Sequence, residues 1–142
     1  MTRDLSRASV AERIDALEEA YEFMLAYAAQ GALDDPPTDG RSIRSFLDQI
    51  VAALDGLAAG AGAEAERLPP ALAAAAAAFV AVLNDDAGKA IRVVRVVQAC
   101  PRVSSQIIDN LNASIHLRAV LTDLFLLDEV LGKKGGVHVD EA

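Results

Sequence analysis

The 142-residue chain has one cysteine, Cys100, no tryptophan, and an aromatic content of only 4%. A single thiol cannot close an intramolecular disulfide, and the opening residues Met1 to Leu5 lack the apolar stretch of a secretory signal. Both observations lead us to expect a reducing, cytoplasmic setting. The longest apolar run, Ala71 to Leu83, is shorter than the roughly 18 to 20 residues that cross a bilayer, so no membrane contact is expected. Cations are outnumbered, 13 Lys and Arg against 21 Asp and Glu, for a net charge of −8. That balance argues against general nucleic-acid binding, which draws much of its free energy from clustered cations displacing counterions.

Catalytic patterns are missing as well. The chain has no cysteine pair for zinc, no His-Glu-x-x-His, no P-loop, no Gly-x-Ser-x-Gly elbow and no dinucleotide fingerprint. Gly56-x-x-x-Gly60-x-Gly62 follows a helix and has the wrong order to cradle phosphate. The di-metal pattern of helical bundles needs Glu-x-x-His, and neither Glu18 nor Glu22 is followed by a histidine at that spacing. We expect no catalytic residue, cofactor or metal.

What is present is alanine, about a fifth of the chain, together with leucine. That composition favours helices in close approach over a β-sandwich or barrel. Ser9 and Glu12 form a capping box that opens a first helix, with Ile14, Leu17, Tyr21, Met24 and Ala28 along one stripe and Gly31 as its end. After a loop over 34–40, capped by Asp39, a second helix carries Ile43, Phe46, Leu47, Ile50, Val51, Leu54 and Leu57, closing at Gly60 to Gly62. Residues 61–69 read as a linker. Pro70 suits the first turn of a third helix, whose alanine run lets a neighbouring backbone approach to about 8 Å. Asn84 to Gly88 interrupts the pattern before helical spacing resumes over 89–99, so one kinked rod and two helices both remain open. Cys100-Pro101 marks a boundary. From about Val103 to Leu131 a final helix of roughly 28 residues would be on the order of 40 Å long.

The expected architecture is therefore all-α: one compact bundle of four to five helices over 9–132, with a long C-terminal helix between a flexible start (1–8) and a flexible tail (133–142). The last helix shows Ile108, Leu111 and Ile115 on one side and Leu117, Val120, Leu121, Leu124 and Leu131 on nearly the opposite side. A helix apolar on two faces has to be covered on two faces, and a homodimer with the second group at its interface does this; the alternative is that the second group packs under the 61–69 linker or the Ala-rich helix of the same chain.

Two polar features complete the reading. Asp109, Asn112, His116 and Asp123 share a face of the last helix as a hydrogen-bonded seam that fixes register; a solvated face, or a site for a metal or small ligand, are its alternatives. Lys89, Arg92 and Arg95, with Arg102 nearby, form a basic strip that would pair with Glu18, Glu19 and Glu22 or contact an anion or acidic partner. The outline of helix 70–83, turn, helix 89–99 also suggests a helix-turn-helix, which the overall charge opposes. The functional expectation is a non-catalytic, homodimeric interaction protein, an adaptor, assembly factor or regulator that binds a protein partner. The alternative is a bundle holding a small ligand or metal between helices, possibly as a small enzyme; nucleic-acid binding ranks lower.

Overall fold

The computed structural model describes residues 4–35 and 42–132, and among them the chain is all-helical, without a strand. In order the helices are α1 (Val10–Ala28), α2 (Ile43–Leu54), α3 (Leu57–Ala65), α4 (Pro70–Ala99), α5 (Ser105–Asn112) and α6 (Ile115–Leu131). The first packs chiefly on α2 and α5, while α4 lies along α6, α3 and α2, so α1 and α4 sit on opposite sides of the core. Most core side chains form one cluster, with a satellite of Ala65, Leu68 and Ala76 between α3 and α4.

Local signals account for most of the boundaries. The Ser9 hydroxyl accepts from the Glu12 amide at 3.1 Å and the Glu12 carboxylate accepts from the Ser9 amide at 2.9 Å. Ile14, Leu17 and Met24 of the expected stripe are buried, while Tyr21 and Ala28 are half-buried. α1 stops at Ala28, not Gly31; Gly31 instead makes the turn beyond it at φ +70°. Ser42 caps α2 through a reciprocal pair with Ser45. The expected cap Asp39 and the tail 133–142 lie outside the described residues. Residues 4–8 are not frayed: Leu5 is buried and its carbonyl accepts from the Arg13 guanidinium at 2.9 Å.

Three expectations about helix ends are corrected. α2 ends at Leu54 with Asp55 as its cap, because Gly56 adopts φ +88°, and of the segment taken as a linker residues 61–65 are the second half of α3, which leaves only 66–69 as the connection to α4. Residues 70–99 are one helix. Leu83, Ala87, Ala90, Val94 and Val97 keep a single buried stripe at spacings of four and three across Asn84 to Gly88, so burial overrides the polar interruption. The Val-rich stretch 92–97 is helical within it. The long final helix is two: α5 ends at Asn112, and Ser114 caps α6 by accepting from the His116 amide at 3.2 Å.

That last break removes the two-faced helix. Once the chain turns at Ala113 and Ser114, Ile108 and Leu111 of α5 and Leu117, Val120, Leu121, Leu124 and Leu127 of α6 point into the same core, while Phe125 and Leu126 of α6 stay exposed. Leu117, Val120 and Leu124 are at most 1% exposed, Leu121 is buried and Leu131 is half-buried. The residues expected at a dimer interface are thus covered by the chain's own helices. Ile115, expected inside, is 70% exposed at the start of α6.

Candidate interaction surface

Helix ends inside the core are satisfied by long-range polar clasps that only the tertiary arrangement reveals. The buried Arg13 of α1 donates to the carbonyls of Ala52, Ala53 and Asp55 at 2.9, 3.2 and 2.6 Å, capping the C-terminus of α2 with a cation. Arg44 does the same for α4, donating to the Gln98 and Cys100 carbonyls at 3.1 and 2.9 Å while paired with Asp35 at 2.8 Å. The Arg44 hydrogen bond holds the Asp35 carboxyl at about 2, and its Oδ1 also accepts from the Val103 amide. Tyr27 donates to the Val103 carbonyl at 2.5 Å, and burial, then Asp35 and Asp34, push its phenol up. Ser105 donates to the Tyr27 carbonyl at 2.6 Å. These groups are spent on structure. Cys100 is half-buried, with Sγ 3.4 Å from the Val96 carbonyl.

The expected polar stripe does not exist as one face, because the break between α5 and α6 separates its members. Asp109 is exposed beside a surface depression with Gly31, Leu33, Ser104 and Gln106. Asn112 is buried, donates to the Met24 carbonyl at 3.3 Å and leaves its Oδ1 unpaired. His116 is exposed. Asp123 faces Asp86 of α4 across the α4–α6 seam. Its Oδ2 is buried without a donor, since two carboxylates offer only acceptors unless one holds a proton. Burial, then the hydrogen bond and charge of Asp86, push the Asp123 carboxyl up to about 7. Among the described residues no group of three or more His, Cys, Asp or Glu is placed to hold a metal.

The basic strip is also relocated. Lys89, Arg92 and Arg95 are exposed on the outward face of α4, without an ion pair among the described residues. α4 packs on α6, α3 and α2, so the expected pairing with the acidic face of α1 is not the arrangement found. Arg102 lies beyond the helix, 3.9 Å from Asp34. The helix-turn-helix outline fails because no turn separates 83 from 89.

What the fold leaves on the surface is apolar. Leu72, Val82 and Val96 of α4 and Phe125 and Leu126 of α6 are 40% to 68% exposed. Of the most apolar 18-residue stretch of α4 only 17% is buried. By length and composition α4 and the segment Ile43–Ala65 each suffice to cross a bilayer, a property that core helices of water-soluble proteins share; the second segment is bent at Gly56. The expectation drawn from the 13-residue run therefore understated α4, which continues helically through Asp85 and Asp86. The alanine run signals close approach of a neighbouring backbone but not which side of the helix the chain itself covers, so this face has no signature in the sequence. Comparison of the chain with protein-family models, characterised proteins and solved structures finds no match.

Proposed function

We propose that this chain is a non-catalytic helical interaction protein, an adaptor, assembly factor or regulator, that self-associates and binds a protein partner through the outward face of α4 and the adjoining edge of α6. One observation carries the reading: only 17% of the most apolar 18-residue stretch of this 30-residue helix is buried in the monomer, and Ala74, Ala78, Ala81 and Val82 are exposed. Contiguous apolar surface of that kind marks a contact, and the small side chains of Ala74, Ala78 and Ala81 favour another helix as the covering element. A dimer remains part of the proposal, moved from the buried leucines of α6 to α4. The cytoplasmic setting also remains part of the proposal, resting on the lone cysteine.

A ligand or metal site on Asp109, Asn112, His116 and Asp123 lacks comparable support, since these residues point to different surroundings. A lipid surface would suit the alanines and valines, but Asp85, Lys89, Arg92 and Arg95 on the same face oppose insertion.

The test compares the wild-type chain with Ala78→Glu and Val82→Glu, whose positions are exposed and whose folding should be unaffected. Sedimentation over a dilution series, capture from the source cells and co-sedimentation with anionic vesicles are read together. Loss of self-association and of a captured partner in both variants is the expected result. Unchanged association in both, or binding to vesicles alone, defeats the reading.

A further inference from the structure

The outward side of α4 repeats at spacings of four and three, the pattern of a coiled-coil seam, through the exposed Ala74, Ala78, Ala81, Asp85 and Arg92 and the half-buried Gly88. Its charges are sorted along the helix. Asp85 precedes Gly88, and Lys89, Arg92 and Arg95 follow it, all exposed. Gly88 has no use inside the single chain: a Cβ there would meet nothing within 4 Å, and glycine weakens a helix interior relative to alanine. Missing side chains in mid-helix have a purpose when another backbone approaches closely.

Resting on the interaction reading above, we infer that a second copy of this chain covers the C-terminal two thirds of the face, residues 78–99, its α4 antiparallel to the first across a twofold axis beside Gly88, with Asp85 of each copy against Arg92 of the other. Asp85 and Arg92 lie at equal distances from the point between Gly88 and Lys89, so one axis makes both pairs at once. A parallel pairing would set Asp85 against Asp85 and Arg92 against Arg92, which the charges forbid. The two glycines at the axis admit the close approach, Ala78 and Ala81 lie level with Ala99 and Val96 of the other copy, residues 70–77 run past the end of the partner helix, and the contact is closed, as isologous dimers are.

Charge reversal with rescue decides the arrangement. Dimer dissociation is measured by sedimentation velocity for wild type, Asp85→Arg, Arg92→Asp, the double variant and Gly88→Leu. Each single reversal should weaken the dimer by about tenfold or more, and the double variant should recover most of that loss. Gly88→Leu, whose Cβ would meet nothing within 4 Å in the single chain, should abolish the dimer while the thermal unfolding midpoint of the monomer stays level or rises. A dimer that Val82→Glu disrupts but that ignores both reversals and Gly88→Leu overturns the antiparallel pairing and leaves the interaction reading standing. A wild-type chain that is monomeric throughout the dilution series overturns the second-copy inference. The interaction reading then rests on whether Val82→Glu loses a captured partner.

Discussion

Replacing Asp123 by asparagine should stabilise the protein at neutral and alkaline pH and do little in mild acid. In the native state Asp123 keeps its proton up to about pH 7, against 3.8 for a free side chain, because it is buried against Asp86. Between those values the folded chain holds a proton that the unfolded chain has released, so stability falls as pH rises through that window and levels off above it. A shift of this size corresponds to a ceiling of about 4 kcal/mol. The pair lies at a seam open to water on one side, and screening reduces the expected effect to about 1 to 2 kcal/mol. In Asp123→Asn the side-chain amide donates to Asp86 at every pH, so the dependence should vanish. Urea unfolding midpoints at half-unit steps from about pH 4.5 to 8.5 measure it, since the midpoint at constant slope reports stability. Taking the difference between the two proteins removes the contributions of groups away from the Asp123–Asp86 pair. Should the difference stay flat across that range, or should the variant be less stable at pH 8, the shared proton at the α4–α6 seam would be refuted.

Other consequences concern the fold. Leu124→Ala should cost about 2 to 4 kcal/mol of unfolding free energy in the monomer, as for a leucine deleted from a packed core; a loss seen only as dimer dissociation would return this residue to an interface. Gly56→Ala should cost about 1 to 2 kcal/mol in thermal melts, because φ +88° disfavours an L side chain and its Cβ would lie 3.3 Å from the Arg13 guanidinium; an unchanged melting temperature would contradict the geometry of the α2–α3 corner. The Asp35 carboxyl, held at about 2 by Arg44, contributes stability that is present above about pH 4 and lost as pH falls toward 2. Asp35→Asn should flatten that limb of an acid titration followed by circular dichroism, and an acid limb identical to wild type would show that the clasp contributes nothing.

Rules that act within a few residues made much of this protein legible from its sequence. The Ser9–Glu12 box, Pro70 at a first turn, the boundary at Cys100-Pro101 and the stripe Ile43, Phe46, Leu47, Ile50 and Leu54 all depend on local spacing, and the helices form where that spacing places them. Other features depend on what lies across the core, where sequence distance carries no signal. Arg13 reaches 39 to 42 residues along the chain to end α2, so Gly56, and not the later glycines, became the corner. Continuous burial on one side of α4 carried the helix through Asn84 to Gly88, which local propensity alone would have broken. The turn at Ala113 and Ser114 folded two apolar stripes into one core, so leucines that a straight rod would have shown to a partner were hidden, and the exposed apolar surface moved to α4. A sequence states which side chains avoid water, but only the packed chain decides which of them it has room to cover.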